Sequence, residues 1–412
     1  MGALDAASSI IRASSLYDPG GLKRLLGKDG RFPSVDLVLT PLGGNLDGRP
    51  TQISLNRFLQ YSFKSSIIIP VDTFSFSFVA PDDDTPANQL IKSGDIARLD
   101  ANQITVSTGI IDSSDIEVTA ESGEMVTITG RDLMGQYEDN DAISIDDTPI
   151  WKNSYTVGQV ISLLNKNTRI NKLILQDAPT TPYLFATEPG ETKLSALQRF
   201  LEPLNCVCWM SPDGKIIVGR PNMSQTPKGT LFINKKKRES NCLSIKAIRQ
   251  DTKVANIIVP IWTGQELTQT RTPKQNRLLN SGEGPKRLRQ FGHNVIKTIM
   301  VSTPEGDSAQ DLSELNRLKA GGQNLLQAYA KRELAKYKMD ELQVQVAVPG
   351  HYNDQGEPFV VDTIYKIECD RAGVDENMYL YGVEYTGGES TGQRTVLSFC
   401  KLGSIVSDIR AP

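Results

Sequence analysis

Two long stretches of this chain alternate apolar and polar residues with a period of two, which restricts them to strands with one buried face. The first begins at Val35 with VDLVLT, continues after a Gly/Asn/Asp turn through TQISLNRF, and reaches VDTFSFSFVAP. There Phe74, Phe76 and Phe78 alternate with serines, placing three rings on one face, as barrel core rather than as an exposed platform for stacking bases. DIARLD, QITVSTGIID, DIEVTAE and MVTITGRD follow at short spacing, bounded by Gly, Asp, Ser or Pro. The second stretch ends the chain with ELQVQVAVPG, FVVDTIYKIEC, MYLYGVEY and TVLSFCKL. Many short strands with polar turns between them predict a sandwich or small barrel for each stretch.

The region between them changes period. YTVGQVISLLNKN puts Val157, Val160, Ile161 and Leu164 on one helical face, with Thr156 placed as an N-cap. TKLSALQRFLEPLN repeats the pattern with Leu194, Leu197, Phe200 and Leu201, and Pro203 closes it. In CVCWMSPDGKIIVGRP, Pro-Asp-Gly marks a turn, because Gly214 can supply positive φ. The expected fold is therefore mainly β with α+β parts: two small β-barrel domains, 35–135 and 223–412, flanking a small α+β domain, 136–222. Residues 1–34 read as an N-terminal arm that orders against a partner. The second barrel is expected to hold a polar insertion at about 266–292 and a helix at about 311–338, whose apolar stripe includes Leu315, Leu318, Leu325, Leu326, Tyr329 and Leu334.

A chain of 412 residues is too long for one ordinary core, in keeping with several domains. With 45 basic against 48 acidic residues, it has no global attraction for phosphate backbones or anionic lipid, so neither specific nucleic-acid binding nor membrane association is expected. No segment approaches the ~20 apolar residues of a spanning helix. MGALDAASSIIRASS lacks the basic and apolar regions of a secretory signal, and Ala6 occupies the position where a myristoylation motif needs Ser or Thr.

Catalytic constellations are missing. The five cysteines, Cys206, Cys208, Cys242, Cys369 and Cys400, lack zinc-site spacing and read as reduced structural thiols. His293 and His351 lie outside helical reach of a ligand or triad partner and read as surface or turn residues. The acids of SDIEVTAESGE and of Asp82-Asp83-Asp84 sit in turn-like stretches, where solvation explains them better than a glycosidase pair. Lys235 to Arg238, and Lys286, Arg287 and Arg289, read as solvated loops, while Trp151, Trp209 and Trp262 read as packing anchors. No catalytic, cofactor-binding or metal residue is assigned, no cofactor is expected, and no partner-interface residue stands out.

Taken in order, these segments resemble the Mu-like tail protein P family, baseplate hub proteins of contractile-tailed phages, similar in fold to the hub portion of type VI secretion spikes. VTITGRDLMGQYED looks like the family's strand and Gly-Arg-Asp turn closing its first barrel, and IWKNSYTVGQVISLL like the approach to its first helix. EPGETKLSALQRFLEPLNCVCWMSPDGKIIVGRP is the most specific portion, and VQVAVPGHYNDQGEPFVVDTIYKI with TGQRTVLSFCKL resembles the family's second barrel. His351 departs from the aromatic residue expected after Gly350, and the long polar segment is a second departure.

The resemblance implies a non-enzymatic structural role in the virion's tail baseplate, assembled in the host cytoplasm. The chain would form a homotrimer around the tail channel that adapts a sixfold tail tube, or its initiator, to a threefold central spike. Wedge and tape-measure proteins would be further neighbours. The alternatives are a hub-associated peptidoglycan hydrolase and a single-stranded nucleic-acid-binding barrel protein.

Overall fold

The structure is a computed structural model and describes residues 35–42, 52–79, 91–119, 123–142, 152–170, 172–188, 190–202, 204–234, 239–249, 257–262, 279–280, 296–301, 339, 341–389 and 392–405. The N-terminal arm, the interior of the polar insertion except for residues 279–280, and the helix expected at 311–338 lie outside these residues. So do His293, Trp151, Asp82 to Asp84 and both basic runs.

Seven strands come from the first alternating stretch: β1 (Val35–Thr40), β2 (Ile53–Leu55), β3 (Gln60–Ser66), β4 (Thr73–Val79), β5 (Ile96–Ala101), β6 (Ile104–Thr119) and β7 (Gly123–Asp132). A helix α1 (Gly135–Asp139) follows, then β8 (Lys152–Tyr155), α2 (Val157–Leu164), β9 (Leu173–Gln176), β10 (Tyr183–Ala186), α3 (Lys193–Leu201), β11 (Val207–Met210) and β12 (Ile216–Gly219). The remainder forms β13 (Thr230–Asn234), β14 (Glu239–Ser240), β15 (Ser244–Arg249), β16 (Ile257–Trp262), β17 (Leu279–Asn280), β18 (Ile296–Val301), β19 (Leu342–Pro349), β20 (Thr363–Cys369), β21 (Val374–Gly387) and β22 (Arg394–Lys401).

Instead of two barrels, the strands make one open 14-stranded sheet, ordered β14-β13-β20-β21-β3-β4-β7-β6-β5-β1-β2, with β22, β19 and β15 branching from β21. The cause lies in β21. A bulge between Leu380 and Gly382 divides this strand, so Val374–Leu380 pairs with β20 while Gly382–Gly387 pairs with β3. The edge that β3 would need to close a first barrel is therefore taken by the second stretch, and no sheet among the described residues closes on itself. Alternation could not reveal this, because a strand with one buried face has the same pattern in an open sheet as in a barrel. Among the described residues the helices are three, the longest of nine residues, and the expectation of two barrels is not met.

One core runs across the β3–β21 junction. Phe74, Phe76 and Phe78 are buried on the inner face of β4, with Phe76 fully enclosed, and they share a cluster with Val344, Val346, Leu380, Tyr385 and Phe399 from the second stretch. On the outer face one of the intervening serines, Ser77, pairs its hydroxyl with that of Thr127 at 3.0 Å. Gly130 faces Phe74 across β4 and β7, and a Cβ there would lie 2.3 Å from both the Phe74 ring and the Ile110 carbonyl oxygen. Gly387 has the same relation to Tyr61. In both places an aromatic ring covers a strand glycine.

Residues 133–218 enclose a second core, in which Val157, Val160, Ile161 and Leu164 of α2 meet Leu194, Leu197, Phe200 and Leu201 of α3. The expected Thr156 cap is present as a full capping box with Gln159. The Pro-Asp-Gly turn joins antiparallel β11 and β12, with Gly214 at φ 75°. β12 also pairs in parallel with β9, while β8 pairs with β10. A separate small sheet sets β16 between β17 and β18.

Candidate functional site

Most residues with chemical potential are retired into packing. All five cysteines are buried and none is joined to another by a disulfide. Burial pushes the Cys208 thiol up to about 12, so it is neither a nucleophile nor a ready metal ligand at neutral pH. Among the described residues no three His, Cys, Asp or Glu side chains gather as a metal site, and no helix is long and apolar enough to cross a membrane. Asp115 and Glu117 of SDIEVTAESGE project to solvent from strand β6, in the segment DIEVTAE that alternation reads as a strand. Trp209 does anchor packing: it is buried with Ile67, Ile364, Tyr379 and Cys400 where the α+β segment meets the sheet.

His351 lies in the bend after β19 but not at the surface, for it is completely buried. Its Nδ1 lies 2.7 Å from Thr395 Oγ1 and its Nε2 2.6 Å from Tyr61 Oη. Thr395 Oγ1 donates its own proton to the Gly350 carbonyl, so it must accept from Nδ1–H, and Nε2 accepts from the tyrosine. A neutral imidazole thus satisfies every partner. Its ring stacks on Tyr385 at 4.5 Å, and desolvation lowers its pKa to about 3.

The Gly-Arg-Asp run, expected as a turn, instead forms the paired end of β7, and it gathers the structure around it. Gly130 admits the Phe74 ring, as described above. Arg131 reaches Asp112 on β6 and Asp139 on α1, both at 2.7 Å, with Glu138 at 3.1 Å. Asp132 is buried; its Oδ1 accepts from the Met134 N–H at 2.9 Å at the start of α1. Its backbone N–H donates to the Asp72 carbonyl oxygen at 3.0 Å, which brings a second buried aspartate alongside. Burial raises the Asp72 pKa to about 7; burial and then the neighbouring Asp72 charge hold Asp132 well above the usual carboxylate range.

Two concavities flank this seam. A cavity of about 220 Å³ is walled by Asp72, Trp209, Ser211, Asp362 and Thr363. Asp362 accepts from Tyr379 Oη, the Asn222 N–H and Gln176 Nε2, which ties β21, β9 and the chain after β12 together. A wider groove of about 720 Å³ runs between the Ile67–Pro70 turn and α3, with Met339 and Ile405 also lining it. Ile68 and Ile69 stand 43% and 64% exposed on that turn, an apolar rim suited to contact with another protein.

Sequence reading missed Asp72, Asp132 and the burial of His351. The available signal was positional: an aspartate at the end of an apolar strand run, in VDTFSF and in ITGRDL, where a solvated loop residue would be expected to lie outside it.

No protein-family description and no curated protein matches this sequence. Solved structures do match. The tail protein from Neisseria meningitidis MC58 is 20% identical, with a TM-score of 0.66 covering 90% of this chain and 98% of that one. The 43 kDa tail protein of prophage MuSo2 from Shewanella oneidensis is 15% identical, with a TM-score of 0.65 over 90% of this chain and 100% of the other. The E. coli c3393 protein, a component of the type VI secretion system described as similar to T4 tail proteins gp27 and gp5, is 9% identical, with a TM-score of 0.51 over 86% and 76%. The shared property is the fold, over nearly the whole length of the two tail proteins.

Proposed function

We propose that this chain, which has the fold of phage tail proteins and of a type VI secretion component, is a structural baseplate hub of a contractile tail. It works without catalysis. Three copies form a ring around the tail channel and adapt a sixfold tail tube, or its initiator, to a threefold central spike, with wedge and tape-measure proteins as neighbours. The hub resides in the virion's tail baseplate and is assembled in the host cytoplasm, with residues 136–222 as a distinct α+β domain.

The observation that supports this most is the end-to-end fold match to two tail proteins. The sheet adds a physical reason. Of its 14 strands, seven (β1–β7) come from the first stretch and seven (β13, β14, β15, β19, β20, β21 and β22) from the second. Three copies of a subunit with two such halves offer six strand-rich faces to a sixfold neighbour and three to a threefold one. Reconstruction of the tail tip of the assembled particle tests the proposal. Three copies in a ring between tube and spike are expected; another position or stoichiometry overturns it. A zymogram with the full chain should show no clearing of peptidoglycan.

A further inference from the structure

The contact between Asp72 and Asp132 has a property that the hub role does not require. Asp72 lies on the turn that leads from β3 into β4, and Asp132 is the last residue of β7 before α1. Both are at least nine-tenths buried, and a backbone hydrogen bond holds them together. The Asp72 carboxylate accepts from the Ser66 N–H at 3.2 Å and from the Ser65 hydroxyl. On Asp132 the situation differs: Oδ1 accepts from Met134, while Oδ2 is sealed from solvent with no partner.

Among the described residues no cation relieves the pair. Arg131 is committed to Asp112, Glu138 and Asp139. The titratable groups that face the pair are the buried Cys208 thiol from β11, with Tyr137 of α1 beside it, and Asp362 across the cavity that Asp72 lines. None can supply positive charge. Two adjacent buried carboxylates that lack a counter-ion cannot both remain ionised without loosening their surroundings.

We infer that Asp72 and Asp132 form a proton-binding latch, in which at least one retained proton holds the α+β segment against the sheet and its loss releases that contact. The latch spans the seam. Asp132 accepts from the Met134 N–H just before α1 on one side, and Asp72 anchors the turn carrying Ile67, Val71 and the exposed Ile68 and Ile69 on the other; Val71 packs into the α+β core and Ile67 against Trp209. Release would free the wall of the large groove and uncover Trp209. A carboxyl whose folded pKa lies above its unfolded value contributes stability below the unfolded pKa and loses it as pH rises through the folded one. The latch therefore holds in mild acid and opens toward alkaline pH.

The test follows Trp209 in the full chain with Trp151→Phe and Trp262→Phe, using acrylamide quenching from about pH 5 to pH 9. Quenching should be low in acid and rise severalfold as the pH passes neutrality, whereas Asp132→Asn should flatten that rise. Asp72→Asn should do the same, which keeps the test open if one variant fails to fold. Infrared difference spectra should show a protonated carboxyl band at neutral pH that D132N or D72N removes. A flat response in the parent, a rise that persists in both variants, or a rise abolished by Asp362→Asn instead would overturn the latch.

Discussion

Replacing His351 with Phe should produce a stability difference that changes sign with pH. The substitution keeps an aromatic ring against Tyr385 but leaves Tyr61 Oη, buried in the core, without its acceptor. An orphaned buried hydroxyl costs about 1–3 kcal/mol, so H351F is the less stable protein at pH 7.5. In the parent, the imidazole pKa is lowered to about 3 by burial. Its contribution is therefore present above the unfolded value of about 6.5 and is lost as pH falls, at about 1.4 kcal/mol per pH unit. By pH 4.5 the parent should have lost about 2.7 kcal/mol from this group alone, a loss H351F cannot suffer. The two stabilities should cross near pH 5, taking about 2 kcal/mol for the orphaned hydroxyl. Urea unfolding of both proteins at half-unit pH steps measures the difference, from which the opposite pH dependence of Asp72 and Asp132 cancels because both proteins retain them. Adding Tyr61→Phe to H351F should restore most of the neutral-pH deficit. A parent-minus-variant difference that stays constant from pH 7.5 to 4.5 would refute the buried neutral histidine.

Three further substitutions probe the scaffold. Phe76→Ala empties a fully enclosed site in the shared core and should cost about 3–5 kcal/mol, read as a lowered urea midpoint. Gly130→Ala sets a Cβ against a backbone oxygen that cannot yield; a loss of about 1–3 kcal/mol by thermal unfolding is expected. Thr156→Ala removes one half of the α2 capping box and should cost about 1 kcal/mol by the same assay, with Thr156→Ser near neutral.

What could be read along the chain was whatever depends on neighbours within a few residues. Period-two alternation located most of the strands of the two stretches and the buried face of β4; the 3.6-residue period located α2 and α3; Thr156 and Gly214 marked a cap and a turn. Each follows from local sterics and from which side chains share a face. The order of motifs likewise pointed to tail proteins before any fold was in hand.

Strand partnership and burial of polar groups were decided only in three dimensions. Backbone hydrogen bonds are alike for every residue type, so nothing in β3 announces that its free edge goes to β21, more than 300 residues away, rather than closing a barrel. His351 is neutral and buried because Tyr61, 290 residues distant, and Thr395, 44 residues distant, converge on its two nitrogens. Asp72 and Asp132 come together because β4 and β7 lie side by side, which sets two strand-end acids in one dry space. The alternating pattern specified which faces avoid water; the long-range pairing of edges chose the open sheet and enclosed the polar groups within it.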